Sequence, residues 1–393
     1  MADKLPILDL KRSYAAVKDE IREALERVLE SQAFILGREV RTFEEHVESY
    51  LEKGTAVGCA SGTDALVLAL MALDIGPGDE VVTTPYSFFA TAGCIARLGA
   101  TPVFADIDPA TYNIDLKHAA AKFGPKTKAF LPVHLFGQMT PVEEIAGLCR
   151  ERGIAVVEDA AQAFGSWRKV RQERSSRGSS EEGGIEEKIV RAGVMGDIGC
   201  YSFFPTKNLG ACGDAGMVVA VDAELGKRVG KLRVHGEGAA YLHDEVGLNS
   251  RLDAMQAAIL DVKFRHLEEW NAERRVLADR YRMFFGMKKL QEFVTLPAEL
   301  DGNFHIYHQY VVRVPRRDEL MARLEARGFS TRIYYPLPLH LQKCFAFLGY
   351  RPGDLPESER LSRESLALPL FVGLLPEEQE KLVDAIAEFF YEK

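Results

Sequence analysis

The sequence lacks the features that mark secreted, membrane-spanning and nucleic-acid-binding proteins. Its six cysteines are scattered without a CxxC pair, which indicates buried, reduced thiols rather than a disulfide framework. It has no run of 18 apolar residues, and the opening stretch MADKLPILDLKRSY has no apolar signal segment. A net charge of -9 argues against nucleic acid or an anionic membrane as the main partner. We therefore expect a soluble, cytoplasmic protein.

Short apolar segments alternate with helical patterns through residues 55–220. Segments such as DEVVTTP and IAVVEDA have few polar residues, and helical patterns such as DALVLALMALDI lie between them. Strands of this kind form a parallel sheet that helices cover on both faces. The predicted fold class is therefore α/β with a mostly parallel central sheet, which binds ligands at the carboxyl ends of its strands.

The pattern changes beyond residue 250. One long helical pattern runs from LDAMQ to YRMFF, and then HIYHQYVVRV alternates like a strand and RDELMARLEARG like a helix. We predict a large α/β domain with an N-terminal arm over residues 1–250, and a smaller α+β domain over residues 251–393.

Residues 166–195 do not fit the alternating pattern. This segment is basic in its first half and acidic in its middle, with serine and glycine clusters between. Such a composition predicts a mobile surface excursion that buries no core. The alternative is a lid or a partner-binding loop, because the segment leaves the predicted sheet near its ligand-binding edge.

A tight turn joins a strand to a helix in CASGTDALVLAL. The free N–H groups of Gly62 and Thr63 at that helix start form a site suited to an anion such as phosphate. Serine, threonine and aspartate are also ordinary helix caps, so this stretch alone leaves the structural alternative open.

Two further strand ends carry side chains suited to ligand binding. Asp159 follows the strand in IAVVEDAAQAFG, with Gln162 one turn later, and PYSFFATA places Phe88 and Phe89 after another strand. Asp159 is suited either to capping a short helix or to holding a cationic ring nitrogen. The paired aromatics usually mean core, but one of them could supply a flat surface for a ring.

Lys207, in CYSFFPTKNLGACGDAG, stands among small, hydroxyl and aromatic residues rather than other charges. Pyridoxal phosphate (PLP) requires a phosphate site, an acid at its pyridine nitrogen, a stacking ring and a lysine that bonds to it covalently. All four predicted elements fall near the carboxyl ends of strands in one sheet. The sequence therefore predicts PLP as the cofactor.

Six segments together carry a family resemblance. They are QAFILGREVRTFEEHV, ASGTDAL, GDEVVTTPYSFFATA, EDAAQAFG, GDIGCYSFFPTKNLGACGDAG and VGLNSRLDAMQAAIL. From Pro6 to the C-terminus the chain resembles the DegT/StrS-type nucleotide-sugar aminotransferases, which have fold type I of the PLP enzymes. The resemblance implies Lys207 as the Schiff-base lysine, Asp159 as the partner of the pyridine nitrogen, Gln162 at the ring hydroxyl and Phe88 stacked on the ring.

The same resemblance implies the phosphate and substrate contacts. Gly62, Thr63 and Ser202 would hold the phosphate, and Asn249 would reach it from a second subunit, which makes the expected protein a homodimer with shared active sites. Substrate contacts are expected from Arg233, His308 and His340. Compared with the family, the 166–195 segment contains an insertion, which leaves substrate access and assembly open.

The expected activity is PLP-dependent transfer of an amino group from an amino acid, L-glutamate first, to a nucleotide-linked keto-sugar. Carbon 3 of a UDP-linked hexose or hexuronate is the expected acceptor, in amino-sugar or surface polysaccharide synthesis. The alternatives are a PLP-dependent sugar dehydratase, against which the lysine at 207 argues because its relatives carry histidine there, and a non-catalytic regulatory protein. We expect no metal site, because His305 and His308 in HIYH would point to opposite faces of a strand.

Overall fold

Strands and helices alternate along the computed structural model, which describes residues 4–173 and 185–392. The helices are α1 (Leu10–Ser31), α2 (Arg38–Leu51), α3 (Gly62–Ala72), α4 (Ala90–Arg97), α5 (Leu116–Lys122), α6 (Glu143–Glu151), α7 (Ala223–Leu232), α8 (Ala254–Phe264), α9 (Leu267–Met287), α10 (Arg317–Ala326), α11 (Pro356–Glu364) and α12 (Pro376–Tyr391). The strands are β1 (Thr55–Cys59), β2 (Glu80–Thr83), β3 (Thr101–Phe104), β4 (Thr127–Leu131), β5 (Ala155–Asp159), β6 (Trp167–Glu173), β7 (Ile185–Arg191), β8 (Ile198–Ser202), β9 (Gly216–Ala220), β10 (Glu237–Ala239), β11 (Leu242–His243), β12 (Asn303–Phe304), β13 (Tyr310–Arg313) and β14 (Ser365–Leu368).

The central sheet has seven strands in the order β1-β9-β8-β5-β4-β2-β3. Neighbouring strands from β8 to β3 pair in parallel, whereas β9 runs antiparallel to both β1 and β8. The carboxyl ends of β1, β2, β4, β5 and β8 therefore meet at one edge of the sheet. The mostly parallel sheet predicted from the sequence is confirmed, with β9 as the exception.

Helices cover both faces of this sheet. Along β9, Met217 and Val219 belong to the apolar cluster that contains α1, α2 and α8, while Val218 and Ala220 belong to the cluster that contains α3. Since successive side chains of a strand point to opposite faces, these two clusters lie on opposite sides of the sheet.

A separate apolar cluster is formed mainly by α9, α10, α12 and the antiparallel pair β13–β14. The domain boundary predicted between residues 250 and 251 lies before α8. The buried residues of α8, including Ala254, Ala257 and Leu260, pack in the cluster of the central sheet. That packing favours a boundary after α8, and the division into domains stays a prediction.

The long helix predicted from residue 252 onward is wrong in one respect, because it is two helices. α8 ends at Phe264 and α9 begins at Leu267, with no glycine or proline between them. His266, between the two helices, has φ -101° and ψ -3°, and its ring stacks on Trp270 with centroids 5.6 Å apart. The buried residues of α8 pack in the cluster of the central sheet, and so do Leu267 and Trp270 at the start of α9, whereas α9 packs in the separate cluster from Leu277 onward. No local sequence signal marks the break.

The segment at 166–195 also differs from its prediction. β6 and β7 form an antiparallel hairpin, and β12 pairs with β6 to make a three-stranded sheet. Trp167 stacks on Phe304 with ring centroids 5.0 Å apart, and Val170 is buried. The two strands therefore pack against the rest of the protein, while residues 174–184 of the predicted excursion lie outside the described residues.

A buried carboxylate ties the chain after this hairpin to β5. Glu158 accepts hydrogen bonds from the backbone amides of Gly193, Met195 and Gly196 at 2.9, 2.7 and 2.6 Å. Its Oε2 also lies 2.6 Å from Nε2 of His134. Burial alone would raise the pKa of Glu158, but these hydrogen bonds outweigh it and lower the pKa. The network fixes the strand end that carries Asp159.

The cysteine prediction is partly wrong. All six thiols are free, but Cys212 and Cys344 are exposed, whereas the other four are buried as expected. Among the helices of the described residues, none combines the length and the apolar character needed to cross a membrane.

Candidate active site

A cavity of about 520 Å³ lies at the edge where the parallel strands end. Its walls include residues that follow β1, β2, β4, β5 and β8. His308 and Gln309, from the segment between β12 and β13, also line it. Open α/β sheets bind their ligands at this edge. The topology alone therefore brings most of the predicted site residues into one cavity.

The start of α3 forms one wall of the cavity. Ser61 caps the helix, because its side chain accepts a hydrogen bond from the amide of Asp64 at 3.1 Å. The amides of Gly62 and Thr63 make no hydrogen bond to the described residues. Ser202, which also lines the cavity, lies directly against Gly62. Two free amides at a helix start beside a hydroxyl are suited to hold a phosphate.

Gly62 is required by this close approach. A Cβ at position 62 would lie 2.5 Å from the Cβ of Ser202, so one of the two segments would have to move. We expect Gly62→Ala to destabilise the protein by about 1–3 kcal/mol and to weaken the binding of a phosphate-bearing cofactor about tenfold. Thermal unfolding and a cofactor titration of the cofactor-free protein measure the two effects.

Gly147→Ala is the matched control for Gly62→Ala. Gly147 lies inside α6, and a Cβ there would have no atom within 4 Å. This variant should unfold at the same or a slightly higher temperature, because alanine favours the helix. Unchanged cofactor affinity in Gly62→Ala would contradict the close-packed cradle.

Asp159 lies at the end of β5 with only 4% of its surface exposed. Its Oδ2 accepts a hydrogen bond from the Thr91 hydroxyl at 2.8 Å, and its Oδ1 accepts one from the amide of Ala161 at 3.2 Å. Burial raises the pKa of Asp159, and its hydrogen bonds and the charge of Lys207 act in the opposite direction. A cationic group placed in the cavity would therefore stabilise the ionised carboxylate.

Lys207 lines the same cavity on the loop between β8 and β9. The loop is tight, because Ala211 donates a backbone hydrogen bond to Phe203, and a Cβ at Gly210 would lie 2.5 Å from the carbonyl oxygen of Pro205. Burial lowers the pKa of Lys207 to about 8, although the charge of Asp159 opposes the shift. The amine is therefore much more readily deprotonated than an ordinary lysine, as a nucleophile must be.

Phe88 and Phe89 have different surroundings, which the sequence alone did not distinguish. Phe88 is 58% exposed and lines the cavity, whereas Phe89 packs against Phe345 with ring centroids 5.7 Å apart. Gln162 also lines the cavity; its Oε1 accepts a hydrogen bond from the amide of Phe136 at 2.7 Å. Of the two phenylalanines, Phe88 is the one that faces the cavity.

Three residues of this site were not found from the sequence. Thr91 orients Asp159, and Ser87, four residues earlier, lies 2.9 Å from the Thr91 hydroxyl. The spacing of the two hydroxyls by one helical turn was a signal. Tyr335 accepts a hydrogen bond from Nε2 of Gln162 at 3.0 Å, but nothing near it in the sequence indicates that contact.

Of the predicted substrate contacts, His308 lies at the active-site cavity and Arg233 does not. His308 lines the cavity, and its Nδ1 lies 3.1 Å from Oδ1 of Asn208. Arg233 lies outside the cavity of this chain, paired with Glu44 and donating to the carbonyl of Gly58 at 2.8 Å. The positive charge of Arg233 is therefore paired with a carboxylate of the same chain.

His340 and Asn249 also lie outside the cavity. His340 is buried beside Glu359, with Nε2 and Oε1 3.3 Å apart. Asn249 is exposed and lines a neighbouring open cavity with Arg251, and Asp214 borders both cavities. No described residue of the β6–β7 hairpin lines the active-site cavity, and the lid and partner-binding alternatives for residues 166–195 stay predictions.

The expected strand through HIYH is wrong, because β12 ends at Phe304 and β13 begins at Tyr310. His305 stacks on Tyr307 with ring centroids 3.8 Å apart, and burial lowers the pKa of His305 to about 3. Among the described residues, no group of three or more histidine, cysteine, aspartate or glutamate side chains is arranged to hold a metal ion.

The chain matches the model of the DegT/DnrJ/EryC1/StrS aminotransferase family over residues 15–387. A pleiotropic regulatory protein of Geobacillus stearothermophilus is 47% identical over 386 residues, which cover 98% of each chain. The UDP-N-acetyl-3-dehydro-alpha-D-glucosamine 3-aminotransferase of Acidithiobacillus ferrooxidans is 41% identical over 382 residues, which cover 97% of each chain.

Two solved structures have the same fold over nearly the whole chain. S. venezuelae DesV in complex with a ketimine intermediate superposes with a TM-score of 0.91 at 36% identity, and the match covers 100% of both chains. NtdA from Bacillus subtilis with its bound cofactor PMP superposes with a TM-score of 0.84 at 29% identity, covering 99% of this chain and 85% of NtdA.

Proposed function

The chain belongs to the DegT/DnrJ/EryC1/StrS aminotransferase family, and from this premise we propose its substrates and the roles of its site residues. It is a sugar aminotransferase, as the sequence predicted. Its amino donor is an amino acid, with L-glutamate as the first candidate. Its acceptor is carbon 3 of a nucleotide-linked keto-sugar, a UDP-linked hexose or hexuronate, which the activity named for the 41% identical relative supports.

One observation carries this proposal. The amine of Lys207 and the carboxylate of Asp159 border a single cavity, and the free amides at the start of α3 form another of its walls. A flat ring with a phosphate on one side and a basic nitrogen on the other fits between these groups. Pyridoxal phosphate has that shape and charge, and PMP, its aminated form, is the cofactor of a structural relative.

PLP, when bound, supplies a carbon that takes up the amine and a ring that accepts the electrons released at the donor carbon. Lys207 would hold that carbon and would give it up to the amine of the donor. The free amine of Lys207, with its pKa lowered by burial, would then move the proton at the donor carbon. This transfer needs an amine that loses and regains a proton near neutral pH, which an ordinary lysine does not provide.

The surrounding residues hold the cofactor in place. Asp159 keeps a proton on the ring nitrogen, because a buried carboxylate is stabilised by a cation at hydrogen-bond distance. Phe88 covers one ring face, Gln162 contacts the ring hydroxyl, and Gly62 and Thr63 with Ser202 bind the phosphate.

The second subunit completes the site in this proposal. Lys207 is the one lysine or arginine among the cavity-lining residues, all of which belong to the described part of the chain, so two phosphate charges would have little cationic compensation. Asn249 and the neighbouring Arg251 lie on the exposed side of the adjacent cavity. We propose a homodimer in which Asn249 of a second copy reaches the phosphate.

A regulatory protein without catalysis is the second candidate, because the 47% identical relative is named a pleiotropic regulatory protein. The presence of Lys207, Asp159 and Gln162 in one cavity supports catalysis, since a scaffold has no use for that combination. Lysine rather than histidine at position 207 supports amino transfer over sugar dehydration.

The proposed reaction is tested by incubating the PLP-loaded protein with L-glutamate and a 3-keto sugar linked to UDP, generated in place. Mass spectrometry should detect the 3-amino sugar and 2-oxoglutarate in equal amounts. The same incubation with a dTDP-linked 3-keto sugar tests the choice of nucleotide. No amino sugar from either nucleotide would overturn the proposed function.

A further inference from the structure

A second cavity of about 280 Å³ opens beside the active-site cavity. The two share Thr206, His308, Gln309 and Tyr334 on their walls, so a ligand can extend from one into the other. Apolar side chains line much of the smaller cavity; they are Ile7, Leu8, Leu10, Leu368 and Leu370. The cavity has room for the side chain of an amino acid but not for a nucleotide.

Arg274 is the charged residue that lines this smaller cavity, and 5% of its surface is exposed. Its Nη1 donates hydrogen bonds to the carbonyl oxygens of Tyr307 and Leu370 at 3.1 and 3.2 Å. Its Nε and Nη2 make no hydrogen bond to the described residues, yet they are not among the enclosed, unpaired atoms. These two donors therefore reach accessible space.

No carboxylate of the described residues pairs with Arg274. The adjacent Glu273 accepts a hydrogen bond from the amide of Gly373 at 2.6 Å instead. Burial lowers the pKa of Arg274 to about 10, although the charge of Glu273 opposes the shift, so the guanidinium stays charged at neutral pH. A buried cation without a hydrogen-bonded carboxylate is costly, which indicates that an anion belongs beside it.

Arg274 and Lys207 lie close to the passage between the two cavities. Both border a narrow cleft with Thr206, and the positive charges of both lower the pKa of His308, after burial as the main cause. A donor whose amine carbon lies at Lys207 can therefore extend its side chain past Thr206 toward Arg274. The apolar walls suit the methylene groups that would lie between them.

We propose that Arg274 binds the distal carboxylate of the amino donor through Nε and Nη2, and so selects an acidic amino acid. This inference rests on the proposed amino transfer and adds the recognition of the donor. The Nε and Nη2 edge of a guanidinium matches the two oxygens of a carboxylate. A sugar carboxylate is the other possible source of the same chemistry, and the experiment separates the two.

The test compares Arg274→Met with the wild type, both loaded with PLP. L-glutamate and L-alanine serve as donors, and the loss of visible absorbance gives the rate of the first half of the reaction. The value of kcat/KM should fall about 10- to 100-fold with L-glutamate, and it should change less than about twofold with L-alanine, which has no distal carboxylate. Binding of glutarate, measured by calorimetry, should weaken by the same factor as the L-glutamate reaction.

Arg317→Met is the matched control. Arg317 is buried and donates to the carbonyl oxygens of Ser362 and Ser365, but it does not line either cavity. The preference for L-glutamate over L-alanine should be unchanged in this variant. Arg274→Lys, which keeps the charge and loses the two-donor edge, should show a smaller loss that is again confined to L-glutamate.

Three results would overturn the inference. Equal losses with both donors would assign Arg274 to holding the backbone at residues 307, 308 and 370. Unchanged L-glutamate and glutarate binding would exclude it as a carboxylate site. A loss of activity that appears only in the second half of the reaction, with a uronate sugar as acceptor, would assign the carboxylate to the sugar. If the wild type reacts with neither donor, the proposed function fails, while glutarate binding still tests Arg274.

Discussion

Replacing Lys207 with alanine is expected to lower the rate of amino transfer at least about 10³-fold. The substitution removes the amine that holds the cofactor and the base that moves the proton. Burial lowers the pKa of Lys207 to about 8, so the wild-type amine exists in both protonation states near neutral pH. The rate with L-glutamate and a keto-sugar, measured at saturating PLP, gives the effect.

Two controls distinguish this effect from general damage. Lys207→Arg keeps the positive charge but cannot lose its proton, so it should be as inactive as Lys207→Ala. Lys227→Ala removes an exposed lysine paired with Glu224 on α7 and should keep full activity. Activity of Lys207→Ala within tenfold of the wild type would remove Lys207 from the reaction.

Asp159→Asn should lower the rate about 10²- to 10⁴-fold while the protein stays folded. Asparagine keeps the shape of the side chain, and its oxygen can still accept from the amide of Ala161, while its NH2 group would donate to the Thr91 hydroxyl and reverse that hydrogen bond. It removes the negative charge that would hold a proton on the ring nitrogen. The electrons released at the donor carbon would then have a weaker acceptor, and the first half of the reaction would slow.

The measurement for Asp159→Asn is a single turnover with L-glutamate after the bound PLP has been quantified. Bound cofactor similar to wild type with a slow turnover is the expected pair of results. The reverse pair, weak cofactor binding with a normal turnover at saturation, would limit Asp159 to binding. Asp222→Asn, at the cap of α7 far along the chain from this strand end, should change neither quantity.

Residues that follow strands of the sheet were predictable from the sequence, and residues that depend on packing between distant segments were not. Asp159 and Ser202 end β5 and β8, so the strand pattern alone brings them to one edge. Tyr335 and Arg274 come from segments far along the chain from that edge; Tyr335 packs with a cluster that contains Tyr86 and Phe136, and Arg274 lies on α9, whose later residues pack in the separate apolar cluster. No local sequence motif indicates that these two residues lie near the site.

The wrong predictions have the same cause. The composition of residues 166–195 is polar, yet Trp167 and Val170 pack because β12, far along the chain, pairs with β6. The HIYH segment alternates like a strand, but its ring stacking and its backbone contacts with residues 136 and 137 give it an irregular path. Arg233, expected at the substrate, pairs with Glu44 on α2, and its contact with the substrate stays a prediction. In each case a contact distant in sequence decides the structure.

The most direct test of the account is the absorbance spectrum of the PLP-treated wild-type protein, recorded before and after L-glutamate is added. The account predicts a visible band from cofactor bound to Lys207. It also predicts loss of that band on adding L-glutamate, with 2-oxoglutarate formed in an amount that matches the bound cofactor. A protein that takes up no PLP, or whose spectrum L-glutamate leaves unchanged, would contradict the account and favour the non-catalytic regulatory function.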